Sequence, residues 1–587
     1  MEVVRNALSH WLDYIRLEEA VKNQAVPAAV TGVSEIHKSC LLAALRKSTG
    51  RRLLLVAGDE GEAQRFQEDL FSLGLRPVFY PLRDFCFRDT TGVSHEYERL
   101  RLEALSQLQS GRCDCVIACI DAALQYTIPP KELEKRLFPV EAGAALEMDA
   151  LVKALVQCGY TREDQIEGPG QFSRRGGIVD FYSPGASAPV RVEFWGDEID
   201  SLSYFDLDSQ RRTEPVDAVM LAPCVEVIPE NPIILAQKIE KLASSLRGKT
   251  APKAKEILRG EGEKLKNGLH IGSLDKFLPL VYGETATLFD YFPRETSLLV
   301  FSEGNKLKER MRTSLWQWGE DLKSFLAEGV LCKGLDHYSE DWEYALGRAQ
   351  HAPTLFLDLF ARGAYEIPTR TLVDVNVKQL PVWAGGTQLL ADDLRPLLDL
   401  GRACVVLCGT PRAGIALAED LKAMGLPAGY LETVSTAAPG TVIVTPGTLS
   451  AGFELPEANF ALLSHGRMAA VKQKKRKRDK NSKEISSLSE LSPGDYVVHA
   501  THGIGLFEGI HKLEMNGVTK DYIKVRYAKN DTLYVPVTQL DLVSKYIGPR
   551  EDSAVKLSRL GGADWQRQKT KVRKAVKDIA KELIQLY

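Results

Sequence analysis

Residues 32–39, GVSEIHKS, hold in nearly the required spacing the groups that bind a nucleoside triphosphate. A phosphate-binding loop reads G-x-x-x-x-G-K-[ST]: the second glycine lets the backbone close on the phosphates, the lysine reaches their oxygens and the hydroxyl holds magnesium. Gly32, Lys38 and Ser39 are in register with that pattern, but His37 stands where the second glycine belongs. Its β-carbon and imidazole would intrude on a phosphate, and any positive φ needed there would be strained. The loop is therefore expected to keep its shape without its chemistry, and no cofactor, catalytic residue or metal is assigned to this chain.

Three other clusters have reactive residue types and carry less. Cys113-x-Cys115-x-x-x-Cys119 lacks the CxxC spacing and nearby histidines of a zinc site, so buried thiols are expected. Gly196-Asp197-Glu198-Ile199-Asp200 offers carboxylates, but Trp195-Gly196 interrupts the apolar run that should lead into a magnesium-binding acid, so a polar turn between strands is expected. The run Lys472-Gln473-Lys474-Lys475-Arg476-Lys477-Arg478 could bind phosphates through counterion release. Between two folded blocks and ahead of Asp479-Lys480-Asn481-Ser482, it reads more readily as a solvated linker than as a DNA-binding patch.

The elements that must position these groups fall into distinct blocks. A length of 587 residues allows roughly three to six domains, and a 44% hydrophobic content supplies each with a core. The net charge of -3 advertises neither nucleic acid nor an anionic membrane, so any basic surface is local. Ten cysteines, mostly inside apolar strands, fit reduced core thiols and a cytoplasmic location. The mixed-charge N-terminus is neither a signal peptide nor a membrane span. Residues 53–58 and 115–120 read as buried strands and 62–73 as an amphipathic helix, an alternation that indicates a parallel sheet covered on both sides, half of a RecA-like unit. Residues 233–246 read as a helix and 249–266 as a lysine-rich solvated segment. A further α/β block has candidate strands at 354–357, 403–407, 441–444 and 460–464.

Residues 494–542 are nearly pure β. Ile523, Val525 and Tyr527 alternate with Lys524 and Arg526, as a half-buried strand requires. Asn516-Gly517 tolerates the positive φ values of a tight hairpin, Asn530-Asp531 marks a second turn, and Gly503, Gly505 and Gly509 allow sharp bending. A small closed or nearly closed barrel is expected. Beyond it, Asp564 starts a helix with Val572, Val576, Ile579, Leu583 and Leu586 in one stripe, still in phase at Tyr587.

Two stretches carry resemblances. H-x-x-HGIG at 499–505, with DYIKVRYA and LYVPV, resembles the polymerase-interacting module shared by CarD-like transcription regulators and bacterial transcription-repair coupling factors. The resemblance implies strand addition to the RNA polymerase β subunit, with Leu513 at the contact; the alternative is a hairpin core leucine. RGGIVDFYSP at 175–184 and VRVEFWGDEI at 190–199 are similar to the UvrA-binding domain that those factors share with the repair protein UvrB. Ser183 is an extra residue relative to that pattern. By motif, Arg175, Arg191 and Trp195 fall on positions that contact UvrA; the alternative is an ordinary exposed sheet face. TLFDYFP at 287–293 and the strand at 297–303 resemble UvrB's TLLDYFP and magnesium-binding strand, with Ser302 where an aspartate holds the metal. A neutral hydroxyl cannot supply that anionic ligand. UvrB's tyrosine-rich segment is missing between Pro81 and Arg99.

The expected fold is multi-domain α/β: a degenerate RecA-like parallel sheet with an inserted UvrA-binding α+β domain, a further α/β domain, a small all-β Tudor/CarD-like barrel and a C-terminal linker helix. The boundaries are 1–136 and 224–345 for the UvrB-like halves, 137–223 for the insertion, 346–466 for an α/β domain of unknown role, 467–490 for a basic linker, 491–548 for the barrel and 549–587 for a helix leading to an absent ATP-driven translocase. The resemblance implies an adaptor, the N-terminal portion of a transcription-repair coupling factor, monomeric and without membrane contact. Its partners are the RNA polymerase β subunit and UvrA, and it meets DNA mainly through the absent motor. The rivals are a CarD-like transcription regulator and an active UvrB-like damage-binding ATPase.

Overall fold

The computed structural model describes residues 1–89, 95–269, 271–383, 386–464, 491, 493–499, 502–515, 518–536, 542–546 and 557–560. The basic run at 472–478 and the helix expected from Asp564 lie outside the described residues.

The first layer is a seven-stranded parallel sheet. From edge to edge its strands are Thr371–Asp374, Ala28–Thr31, Thr354–Leu357, Ser297–Ser302, Arg52–Ala57, Cys115–Cys119 and Pro77–Tyr80. The central strands are continuous apolar runs because helices cover both faces, and the sheet carries one core cluster on each side. The strand Thr354–Leu357 corrects the expected boundary at 345/346: it lies inside this sheet, paired with Ala28–Thr31 on one flank and Ser297–Ser302 on the other. A short, fully buried strand of Thr354, Leu355, Phe356 and Leu357 suits the interior of this sheet or of the mixed sheet that follows, so only pairing could place it. Residues 249–266 need a second correction. Rather than a solvated segment, Ala251–Lys266 is a helix whose Ala254, Leu258 and Leu265 pack on the helix Pro232–Ser245, while its lysines face water.

Between the two halves of that layer stands a six-stranded sheet, in the order Arg212–Pro215, Glu198–Phe205, Val190–Trp195, Ile178–Phe181, Gln171–Arg175 and Thr161–Arg162. Its ends are joined by the antiparallel pair Phe138–Glu141 and Ala218–Leu221, so chain entry and exit lie side by side. Leu151 and Leu155 of the helix Met148–Gln157 fill the core against Phe172, Val179, Phe181 and Val192.

The third sheet runs Lys378–Leu380, Gly452–Leu455, Phe460–Ser464, Ala403–Cys408, Val442–Pro446 and Ala428–Tyr430. One face keeps a core of its own, Cys404, Val406, Val442, Val444 and Leu463 against Leu390, Leu394, Leu417 and Leu421, while on the other Val405, Leu407, Leu449, Phe453 and Leu462 belong to the same apolar cluster as Val33, Ile36, Cys40 and Leu41. The buried Asp69 also accepts from the backbone N–H and hydroxyl of Ser450, at 2.7 and 2.5 Å.

The fourth sheet is antiparallel and five-stranded, in the order Thr532–Pro536, Val518–Arg526, Gly503–Met515, Tyr496–His499 and Val543–Lys545. Ile523, Val525 and Tyr527 are fully buried with Val497 and Phe507, as their alternation requires, and Arg526 and Lys524 pair with Glu508 on the opposite face. Met515 pairs with Val518, while Asn516 and Gly517, where a tight turn is expected, lie outside the described residues; Lys529 and Asn530 take positive φ before the next strand. Gly505 is obligatory, since a β-carbon there would collide with Val525. Of the closed or nearly closed barrel expected here, the described residues form a five-stranded antiparallel sheet whose first and last strands do not pair. All ten cysteines are free and nine are buried. Among the described residues no helix is long and apolar enough to cross a membrane.

Candidate functional site

The strand Ala28–Thr31 delivers Gly32 at φ +85° to the start of the helix Glu35–Thr49, the geometry of a phosphate loop. The groups that would hold a phosphate have protein partners instead. The Gly32 N–H donates to Leu359 O at 3.2 Å and the Val33 N–H to Asp358 O at 3.3 Å. The carbonyl of Val375 lies where a β-carbon on Gly32 would project, and the Val375 N–H donates to Thr31 O at 3.0 Å, so the chain leaving Thr371–Asp374 crosses over the loop.

His37, in the position of the missing glycine, is buried. Its Nδ1 lies 2.8 Å from Ser34 Oγ, and its ring meets the edge of Phe453 with centroids 5.7 Å apart. Burial pushes its pKa down to about 4, against an upward pull from the backbone of Lys378. Lys38, 1% exposed, donates to Glu303 Oε1 at 2.5 Å and to Ser302 Oγ at 3.0 Å. Ser39 Oγ donates back to Glu35 O at 3.1 Å, and Ser302 Oγ to Glu62 Oε1 at 2.6 Å. Glu303 Oε1 also accepts from the Leu359 N–H at 2.8 Å, so the carboxylate stands where a phosphate oxygen would meet both lysine and backbone.

Gly32, His37, Lys38, Ser39 and Ser302 lie at the C-terminal ends of the strands Ala28–Thr31 and Ser297–Ser302, on the loop and helix start that follow the first and at the last residue of the second. A cleft of about 830 Å³ opens beside them, walled in part by Lys38, Arg65 and Lys306 but also by Glu35, Glu62, Glu303 and Glu309. With more carboxylates than cations it offers a polyphosphate no net attraction. Sequence reasoning missed Glu303, although it directly follows Ser302, and missed Phe453, for which no local signal existed.

The second constellation lies on the six-stranded sheet. Alternation and register put Arg175, Ile178, Asp180, Arg191, Glu193 and Trp195 on one face, through the pairs Arg175↔Ile178, Asp180↔Arg191 and Ile178↔Glu193. Val190–Trp195 ends in a two-residue turn, Gly196-Asp197, with Gly196 at φ +62° and Trp195 opposite Glu198. That turn is the polar connection expected there, and it leaves Trp195 83% exposed at the sheet's end.

The two arginines differ. Arg191, 12% exposed, grips Asp180 with Nε and Nη2 at 2.8 and 2.9 Å, donates from Nη1 to Gln210 O at 3.1 Å, and lies 4.7 Å over the Phe205 ring. Arg175 is 50% exposed and reaches Asp180 Oδ2 at 2.8 Å. Arg212 pairs with Glu193 on the same sheet. Of Leu513, expected at a third contact, the backbone alone is described: it pairs with Lys520 in the long hairpin, and its side chain lies outside the described residues.

Known proteins agree with both motif stretches. The CarD-like/TRCF RID domain matches residues 491–547, and the UvrB interaction domain matches residues 138–226. The chain is 33% identical over 584 residues to the transcription-repair-coupling factor of Bacillus subtilis, covering 97% of this chain and 49% of that protein. It is 29% identical over 606 residues to the factor of Staphylococcus epidermidis, covering all of this chain and 50% of the relative. The chain therefore spans about half the length of the curated relatives it matches.

Proposed function

We propose that this chain, similar along its whole length to transcription-repair-coupling factors, is an adaptor of transcription-coupled DNA repair. The sheet face around Trp195 recruits UvrA, and the five-stranded sheet holds the RNA polymerase β subunit. The observation that carries the reading is Trp195: a large indole left in water on the same sheet face as a half-exposed arginine, inside the segment that matches the UvrB interaction domain. An exposed aromatic next to a guanidinium has the composition of a protein-binding hot spot. The polymerase reading is supported by the match over 491–547 and by a sheet whose terminal strands could accept a further strand.

In this reading the first sheet works without nucleotide chemistry. Lys38 is neutralised by Glu303, the loop amides are occupied by carbonyls, and Ser302 cannot bind magnesium as a carboxylate would. The domain serves as a rigid mount for the docking surfaces.

The test is a parallel pull-down of UvrA and of the polymerase β subunit with three proteins: wild type, Arg191→Ala combined with Trp195→Ala, and Leu513→Arg. The double variant should lose UvrA alone and Leu513→Arg should lose polymerase alone. Polymerase binding with no UvrA binding by wild type would favour a CarD-like regulator, and failure of both would overturn the adaptor reading.

A further inference from the structure

The docking face contains a buried acid, Asp180, that lies in the RGGIVDFYSP stretch but is not among the residues expected to contact UvrA. Asp180 is 1% exposed, sits mid-strand in Ile178–Phe181 and faces Arg191 directly across the ladder. Its two oxygens take three N–H bonds from two guanidinium groups: Arg191 Nε on Oδ1, and Arg191 Nη2 with Arg175 Nη2 on Oδ2. One carboxylate between two cations leaves a net positive charge, and the two cations do not share it equally. Arg191 is fixed on three sides by Asp180, the Gln210 carbonyl and the Phe205 ring. Arg175 touches Asp180 through one nitrogen, and half of its side chain is in water. A planar fork anchored at one nitrogen still has N–H groups directed outward for a second carboxylate.

Resting on the UvrA-docking reading, we propose that Asp180 is the positioning residue of this surface. It locks Arg191 as scaffold and aims Arg175, with Trp195 on the same face, at an acidic side chain of the partner protein. Arg191 acts through Asp180 rather than by reaching the partner. Its removal would uncover a buried carboxylate and release Arg175, so its variants weaken docking indirectly. The exposed fork of Arg175 selects a carboxylate, and the indole covers the apolar surface around it. Holding Arg175 in place before contact reduces the side-chain ordering that binding requires.

The experiment compares UvrA binding by wild type, Asp180→Asn, Arg175→Ala and their double variant in the full chain, with the near-ultraviolet circular dichroism and unfolding transition of each variant as the folding control. Asp180→Asn keeps the shape and removes the charge. It should weaken UvrA binding about tenfold, mainly through faster dissociation. Adding Arg175→Ala should then cost less than about twofold, because the arginine is already unaimed. Asp180→Asn binding like wild type, or losses that simply add, would overturn the proposal. Should Asp180→Asn fail the folding control, Arg175→Lys decides: it is exposed and keeps the charge but loses the fork. Binding as weak as Arg175→Ala supports the proposal, and wild-type binding overturns it. Absence of UvrA binding by wild type is a separate outcome that removes the docking reading itself.

Discussion

Replacing Lys38 with methionine separates a structural lysine from a nucleotide-binding one. The stem volume is nearly kept, while the ammonium 2.5 Å from Glu303 and 3.0 Å from Ser302 is lost. Stripping one partner from a fully buried pair costs about 3–5 kcal/mol because the remaining charge is trapped. Glu303 is 29% exposed and keeps its bond from the Leu359 N–H, so water and backbone recover part of that. A loss of about 2 kcal/mol is expected. At roughly 2–4 °C per kcal/mol for domains of a few hundred residues, the unfolding transition of this layer should fall by about 4–8 °C. The assay is calorimetry of both proteins, alongside magnesium-ATP turnover with and without DNA. A lysine that serves phosphates would behave in the opposite way, since its removal ends turnover and leaves the fold intact. Metal-dependent turnover by wild type, abolished in Lys38→Met with an unchanged transition, would refute the reasoning.

Two further outcomes follow from the same joint. His37 has its pKa lowered from 6.5 to about 4 by burial, so between those values the unfolded chain takes a proton that the folded chain refuses. Its stabilisation is complete above pH 6.5 and is lost as pH falls toward 4, amounting to roughly 3 kcal/mol at 1.36 kcal/mol per pH unit. His37→Gln should flatten the stability profile in that window; His499, also lowered to about 4, titrates in the other module and remains as background in both proteins. An unchanged profile would show that His37 is solvated. Phe453→Ala empties a fully buried site shared by two sheets and should cost about 3–5 kcal/mol. Hydrogen exchange should then show residues 28–45 and 376–464 losing protection together, and loss confined to the second group would mean that the shared core is not cooperative.

The elements legible in the sequence were those whose pattern is local. Alternation in 522–527 forecast which side chains are buried, because a strand exposes its two faces every second residue whatever it pairs with. His37 and Ser302 could be recognised because each replaces a group that phosphate chemistry needs at a fixed spacing. The helix Ala251–Lys266 was also legible, through Ala254, Leu258 and Leu265, but its lysines obscured the stripe. The face around Trp195 stood out by motif; the different states of Arg175 and Arg191 did not, because they depend on Asp180 lying across the ladder from one of them.

Sequence alone determined that His37 and Ser302 depart from a nucleotide-binding pattern, that a β-rich module follows a basic run, and that Arg175, Arg191 and Trp195 fall within two motif stretches. Tertiary structure decided what packs around the loop at Gly32. Glu303 reaches Lys38 across 265 positions of chain, Val375 covers Gly32, and Phe453 from a later sheet seals His37. It also decided that Thr354–Leu357 pairs inside the first sheet rather than starting the next. The physical reason is the same each time: a local pattern records which face of an element is apolar or charged, while partners distant in the chain are chosen only when sheets close on one another and every buried polar group must find a counterpart.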